Sequence, residues 1–115
     1  MDIRKLQKVA VAALEDIKAR DIDVINTSRL TPLFDRIIIA SADSTRQTKA
    51  LARSVQDKVL AAGGYVLGME GEDTGEWIIV DLGDIVVHIM QPAIRSYYNL
   101  EELWDIKPAR KQSAT

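Results

Sequence analysis

The chain has 115 residues, of which 47% are hydrophobic and 28% are charged, and its formal net charge is −2. This length provides for one globular domain with an ordinary hydrophobic core. The absence of cysteine excludes disulfides, thiol catalysis and cysteine-ligated zinc, and the slightly acidic balance argues against a broad nucleic-acid surface, which requires a clustered excess of Lys and Arg.

The first segment has apolar residues at helical spacing and predicts an amphipathic helix. Asp2 stands where an N-cap residue is expected. After this helix, residues 23–26 predict a short strand, and Leu30-Thr31-Pro32 predicts a connection. The apolar positions of the helix are Ile3, Leu6, Val9, Ala10, Ala13, Leu14 and Ile17.

A buried strand and a second helix are expected next. Residues 34–41 contain a continuous apolar run around Ile37, Ile38 and Ile39, which is typical of a central strand. The segment Ser41-Ala42-Asp43-Ser44 supplies caps for a helix over 45–62, and Gly63-Gly64 ends it. The apolar stripe of this helix consists of Leu51, Ala52, Val55, Val59 and Ala62.

The most informative stretch is a predicted β-hairpin at 75–90, preceded by a strand at 65–69. Two runs rich in β-branched residues, 76–82 and 85–90, flank Gly83-Asp84, a pair suited to a tight turn. With Leu82 opposite Ile85, one hairpin face is wholly apolar and must be the core face, whereas a slip of one residue would exchange the two faces. The expected core face consists of Ile78, Val80, Leu82, Ile85, Val87 and Ile89.

The other hairpin face is mostly apolar but carries one acid and one imidazole. Such a mixture is typical of a docking surface. Two alternatives stay open at this point: a helix covers this face too, as in many α/β sheets, or Trp77 belongs to the core. The residues of this face are Trp77, Ile79, Asp81, Val86, His88 and Met90.

The C-terminal part is rich in aromatic residues and predicts two short helical turns within 92–104, with Asn99 capping the second. Tyr98, Leu103 and Trp104 are expected chiefly to hold these turns against the sheet, with partner contact as a second role. Residues 107–115 lack apolar periodicity and predict a flexible tail, so the folded domain is expected at 1–106. The order of elements predicts a single α+β domain, with a mixed sheet of about five strands and at least one crossover.

No catalytic or metal constellation stands out. His88 is the only histidine, and a lone strand histidine is more often a hydrogen-bonded packing residue than a proton shuttle or a metal ligand. The glycines match neither a phosphate loop nor a dinucleotide fingerprint. No apolar run approaches the roughly 20 residues that span a bilayer, and the N-terminus lacks a signal-peptide core. We therefore expect a cytoplasmic protein without catalytic residues, cofactor or metal.

Several motifs along the chain resemble the ribosomal silencing factor, or Iojap, family. The resemblance extends from the first helix to Trp104, and the succession of these motifs in one short chain is highly specific. They are Phe34-Asp35, Ile38-Ile39-Ala40-Ser41, Ser44-Thr45-Arg46-Gln47, the run from Gly75 to Asp84, Val86-Val87-His88-Ile89 and the run from Arg95 to Trp104.

The resemblance implies a translational repressor, not an enzyme, that binds the large ribosomal subunit and sterically prevents the small subunit from joining, especially under nutrient limitation. It implies as partner the large-subunit protein at the joining face, fourteenth in that subunit's series. It also implies a nucleotidyltransferase-like fold, although the Gly-Ser and paired-Asp signature of those enzymes is missing. The partner-binding residues expected on this basis are Trp77, Ile79, Asp81, Asp84, His88, Met90, Tyr98, Leu103 and Trp104.

Other functions remain as alternatives at this point. A nucleotidyltransferase-like enzyme would require metal-dependent nucleotide binding. An RNA-binding module would bind free RNA with steep salt dependence. An apolar strand surface can also bind a second copy of itself, so a homodimer would compete with the ribosome for the same residues.

Overall fold

Four helices and five strands follow one another along residues 1–104, the part of the chain that the computed structural model describes. The tail predicted at 107–115 and the domain end predicted at 106 lie outside the described residues. The helices are α1 (Ile3–Asp16), α2 (Thr45–Ala61), α3 (Pro92–Tyr98) and α4 (Leu100–Leu103). The strands are β1 (Arg20–Asn26), β2 (Arg36–Ser41), β3 (Gly68–Glu70), β4 (Trp77–Asp81) and β5 (Ile85–Met90).

The five strands form one mixed sheet in the order β1-β2-β5-β4-β3. Strands β2 and β5 run parallel, and every other neighbouring pair is antiparallel. Because parallel neighbours need a crossover, the chain passes through α2, β3 and β4 between β2 and β5. The predicted α+β domain with a mixed sheet and a crossover is confirmed, as is the internal position of β2.

Helices α1 and α2 pack against one face of the sheet and form the main core with it. Both start at the predicted caps: the Asp2 side chain accepts a hydrogen bond from the Lys5 backbone nitrogen at 2.8 Å, and Ser44 Oγ accepts one from the Gln47 backbone nitrogen at 3.1 Å. The buried helical residues are Leu6, Ala10, Ala13, Leu14, Thr48, Leu51, Ala52, Val55 and Val59.

The hairpin of β4 and β5 has the predicted register. The Leu82 backbone nitrogen donates to the Ile85 carbonyl oxygen at 2.9 Å, and Trp77 lies opposite Met90 at the far end. The predicted apolar face therefore points toward α1 and α2. All six of its residues belong to the main core: Ile78, Val80, Leu82, Ile85, Val87 and Ile89.

Strands β1 and β3 differ most in extent from the sequence prediction, whereas β2 and β4 are one or two residues shorter at their ends. Strand β1 reaches back to Arg20, because a bulge between Arg20 and Asp23, with Asp21 at a φ of 52°, lets pairing with β2 resume. Strand β3 begins only at Gly68. It lies at the sheet edge and pairs with β4 alone, so the residues before it, including the exposed Tyr65, have no continuous ladder to join.

Candidate docking surface

The sheet face opposite α1 and α2 is only half covered. Ile94 of α3 and Leu100 of α4 pack against three fully buried residues of β2 and β5, namely Ile37, Ile39 and Met90. The alternative that a helix covers this face is thus correct for the half formed by β2 and the end of β5. The partly buried residues that complete this second cluster are Ile25, Phe34, Trp77, Ile94, Leu100 and Trp104.

The other half of this face remains open to solvent. Strand pairing places His88 beside Ile79 and Val86 beside Asp81, and all four side chains are only partly buried. Trp77, at the border with the covered half, is also partly buried. These five residues, Trp77, Ile79, Asp81, Val86 and His88, are called the hairpin surface below. Four of the five were predicted as partner-binding residues, and Val86 was placed on the same face.

Trp77 is fixed between two side chains. Its indole Nε1 donates a hydrogen bond to Nδ1 of His88 at 3.0 Å. On another side, the Tyr98 ring lies 4.8 Å from it between centroids, with the planes inclined by 48°. Trp77 therefore packs at the edge of the second cluster but is not fully buried, so it remains partly accessible to a partner.

The neutral state of His88 follows from its position. Burial on the half-covered sheet face lowers the pKa of His88 to about 4, because the imidazolium would lose its hydration there. Since Nδ1 accepts the bond from Trp77, the neutral ring carries its proton on Nε2. His88 is thus hydrogen-bonded within the fold, and its predicted contact with a partner stays a prediction.

The structure corrects the predicted contact role of Met90. Its side chain is fully buried in the second cluster, because α3 and α4 cover the end of β5. Met90 can support Trp77, its partner across the hairpin, but it cannot touch a docked protein. Sequence reasoning missed this because side-chain alternation along β5 does not show that the chain folds back over the end of this strand after Gln91.

The three C-terminal aromatic and aliphatic residues differ in role. Trp104 packs edge-on against Phe34, with ring centroids 5.7 Å apart, and holds the last turn against the sheet as predicted. Leu103 is 71% exposed, so the expectation that it serves mainly as packing is wrong. Tyr98 both contacts Trp77 and exposes 52% of its surface. Leu103 and Tyr98 are thus accessible for partner contact.

Two carboxylates lie at the turn of the hairpin. Asp81 Oδ1 accepts a hydrogen bond from the Gly83 backbone nitrogen at 2.8 Å, which stabilises the turn. Asp84 is exposed, and its backbone oxygen accepts hydrogen bonds from the backbone nitrogens of Asp35 and Arg36. Within residues 1–104 neither carboxylate has an ion-pair partner. Both are therefore available to a basic partner at the edge of the hairpin surface.

Arg95 has a structural role that sequence reasoning did not assign. Its guanidinium donates to the Asp21 carbonyl oxygen at 2.6 Å, to Ser41 Oγ at 2.8 Å and to Asp23 Oδ2 at 2.9 Å, and it also binds Glu101. Burial alone would raise the pKa of Glu101, but the hydrogen bond and charge of Arg95 outweigh it and lower that pKa. The opposite charges six residues apart were the one local signal for this contact.

Asn99 stands at the predicted N-cap position of the second C-terminal turn, but its side chain does not cap that turn. It adopts the left-handed conformation, with φ 49° and ψ 57°, and its side chain makes no N-cap hydrogen bond to the backbone of α4. Its backbone nitrogen instead donates to the Arg95 carbonyl oxygen and ends α3. The sharp bend that results brings Glu101 back to Arg95.

Within residues 1–104, no group of three or more His, Asp or Glu side chains is placed to hold a metal ion. None of the helices described there is both long and apolar enough to cross a bilayer.

Comparison with known proteins gives a consistent match along the chain. Residues 1–115 match the family model described as ribosomal silencing factor during starvation. The ribosomal silencing factor RsfS of Chromobacterium violaceum is 55% identical over 104 residues, covering 90% of this chain and 85% of that protein. The mouse protein named mitochondrial assembly of ribosomal large subunit protein 1 is 34% identical over 108 residues, covering 90% of this chain and 47% of its own length.

A solved structure also matches the fold. The crystal structure of a protein from Chromobacterium violaceum superposes with a TM-score of 0.89 at 49% identity, covering 98% of this chain and all of that one. The α+β architecture is therefore confirmed, whereas the nucleotidyltransferase-like label stays a prediction.

Proposed function

This chain belongs to the ribosomal silencing factor family, and we propose that it represses translation by binding the large ribosomal subunit and sterically blocking the small subunit from joining. We propose that it does so especially when nutrients are scarce, as the description of the family model suggests. The mouse relative, whose name refers to the large ribosomal subunit, supports the choice of subunit. A regulatory factor of this kind acts by occupancy and needs no catalytic residue, and we place it in the cytoplasm.

The main observation in favour of this proposal is that Trp77 is partly exposed and held in place on the half-covered sheet face. Tryptophan and tyrosine dominate the binding energy of many interfaces, because they bury a large rigid area at low entropic cost. Here Trp77 is partly exposed, is held by His88 and stands beside Tyr98. We propose the hairpin surface, extended by Tyr98 and Leu103, as the face that docks the ribosome.

The charges at the edge of this surface favour a basic partner. Asp81 and Asp84 lack ion-pair partners among the described residues, and opposite charges steer association and set orientation. We propose that they meet Lys or Arg side chains of the large-subunit protein at the joining face, fourteenth in that subunit's series. Met90 and Trp104 support the surface from beneath and from its border.

A subunit-joining assay tests this function. Small and large subunits are mixed with the protein, and the rate and extent of joining are followed by light scattering. We expect the wild-type protein to reduce the joined fraction in a saturable way. Trp77→Ala should not, whereas Leu60→Ala, an exposed residue of α2 on the opposite side of the sheet, should act as wild type. Full joining at saturating wild-type protein would refute the proposal.

Self-association through the same surface is the competing use of these residues. The partly exposed apolar side chains around Trp77 suit a second copy as well as a ribosomal protein. Sedimentation equilibrium over a range of concentrations distinguishes the two. A dimer that dissociates with Trp77→Ala and that is excluded by large subunits would show that both associations use one surface.

A further inference from the structure

We propose that His88 is a positioning residue, whose neutral imidazole holds the Trp77 indole in the orientation that docks the large ribosomal subunit. This inference rests on the proposed function, and it assigns to His88 an indirect role. The imidazole acts through the indole and need not itself touch the partner.

The hydrogen bond between these residues crosses the hairpin diagonally. Trp77 lies opposite Met90, and His88 lies opposite Ile79, so the two side chains are not direct strand partners. They meet because the indole lies along the strand toward the imidazole, with the ring centroids 5.9 Å apart and Nε1 3.0 Å from Nδ1. This geometry selects one orientation of the indole among those open to a side chain at this position.

Nδ1 of the neutral His88 ring is a suitable acceptor for the indole N–H of Trp77. An indole has a single N–H and accepts no hydrogen bond through its nitrogen, so its orientation is defined by where that N–H finds a partner. Nδ1 of His88 supplies the lone pair only while the ring is neutral, and burial keeps it so by lowering its pKa to about 4. Tyr98 limits the indole on another side, at 4.8 Å between ring centroids.

Fixing the indole before docking has a direct consequence for affinity. An exposed side chain that samples several rotamers loses entropy when a partner orders it, and that loss weakens binding. Trp77 avoids part of this loss because it is already held. The hydrogen bond also satisfies the polar N–H within the fold, so that a partner that buries the indole need not supply an acceptor for it.

A set of variants separates acceptor chemistry from packing. His88→Leu removes the acceptor at similar size, and His88→Asn retains an oxygen near the position of Nδ1. Trp77→Phe removes the donor and keeps an aromatic ring. Binding is measured with isolated large subunits, and hydrogen exchange of the Trp77 indole N–H is measured by NMR on the free protein, with Trp104→Phe used to assign the resonance.

We expect His88→Leu to weaken large-subunit binding roughly fivefold to tenfold, the effect of losing one ordinary hydrogen bond and the order it imposes. Indole exchange should become faster by a similar factor. His88→Asn should restore both quantities to near wild type. In the Trp77→Phe background, His88→Leu should cause no further loss of affinity, because the donor is already gone.

Unchanged affinity and unchanged indole exchange in His88→Leu would overturn the inference. Equal losses in His88→Leu and His88→Asn would also overturn it, because packing and not the acceptor would then matter. If wild type binds no large subunits, the proposed function fails and the docking role of His88 fails with it. Indole exchange in the free protein then shows separately whether His88 fixes Trp77. Should His88→Leu not fold, His88→Val replaces it in every arm.

Discussion

Arg95 and Glu101, one on each of the two short C-terminal helices, form an ion pair in which Nη2 and Oε2 lie 2.6 Å apart. The side chains are 12% and 23% exposed, so the pair is largely removed from water. Arg95 also binds Asp23 and the Ser41 hydroxyl, which belong to β1 and β2. These bonds hold α3 and α4 over the sheet, where α3 carries Tyr98 to the edge of the hairpin surface.

The first prediction concerns the loss of this guanidinium. Arg95→Met should lower the free energy of unfolding by about 2 kcal/mol, because it removes the cation paired with Glu101 and the donor to the Ser41 hydroxyl in a poorly hydrated site. Urea denaturation measures this change. Lys58→Met, which breaks the exposed ion pair with Asp16, is the control and should cost under about 1 kcal/mol. Equal effects of the two substitutions would contradict the role of Arg95.

Acidic pH should lower the free energy of unfolding through protonation of His88. The folded state lowers the pKa of His88 to about 4, so between that value and its ordinary 6.5 the unfolded chain binds the extra proton. The stability that the protein has while His88 is neutral in both states is complete above about pH 6.5 and is lost as the pH falls toward 4. From pH 7 to pH 5 we expect the free energy of unfolding to fall by about 2 kcal/mol through this residue.

Urea denaturation at pH 7, 6 and 5 checks the acid effect. His88→Asn cannot titrate, so its stability should change much less over this interval. Glu101, whose pKa is also lowered, loses its contribution only at still lower pH, as the carboxylates protonate. A wild-type curve as flat as that of His88→Asn would show that His88 is as easily protonated in the folded protein as in the unfolded chain.

The third prediction compares two glycines with similar backbone angles. Gly71 and Gly83 have φ values of +89° and +90°, so alanine is strained at both. At Gly71 a Cβ would also lie 1.9 Å from the Trp77 carbonyl oxygen, whereas at Gly83 its nearest neighbour is a Leu67 methyl at 3.5 Å. Thermal unfolding should show that Gly83→Ala costs about 1 kcal/mol and Gly71→Ala well over twice that. Similar melting temperatures for the two variants would contradict this geometry.

The fourth prediction concerns charge at the hairpin turn. Asp84→Lys should weaken binding to large subunits about tenfold, with the loss shrinking as salt is added, because a carboxylate facing a basic partner is reversed. Asp57→Lys, on the exposed side of α2, changes the net charge equally and should have little effect. Surface plasmon resonance at several salt concentrations compares them. A loss of equal size in both variants would indicate net charge and not a docking contact.

Local patterns were sufficient for the elements and for the hairpin. Asp2 and Ser44 cap their helices as predicted, and Leu82 pairs with Ile85, because side-chain alternation and turn chemistry act over a few residues. The division of the hairpin into a core face and a second face followed from the same alternation. The α+β class could therefore be predicted from these patterns, whereas membership of the family was predicted from the resemblance of its motifs.

The errors concern how the C-terminal segment folds back onto the sheet. Met90 was predicted as a surface anchor, but α3 covers it, and alternation along β5 cannot tell which neighbouring element lies above a given residue. The bonds of Arg95 to Ser41 and Asp23 join residues more than 50 positions apart. Asn99 adopts a left-handed conformation, which aligns Arg95 with Glu101. The only indication of this in the sequence was the weak preference of asparagine for that conformation.

The central claim is that the hairpin surface, with Trp77, docks the large ribosomal subunit. Sedimentation with purified ribosomal particles tests this claim most directly. Wild type, Trp77→Ala and Leu60→Ala, each shown to be folded, are centrifuged with small subunits, large subunits and joined ribosomes. We predict co-sedimentation with large subunits only, retained in Leu60→Ala and weakened about 30-fold or more in Trp77→Ala, which corresponds to roughly 2 kcal/mol of binding free energy. Wild type that fails to co-sediment with large subunits, or Trp77→Ala that binds them as tightly as wild type does, would contradict the claim.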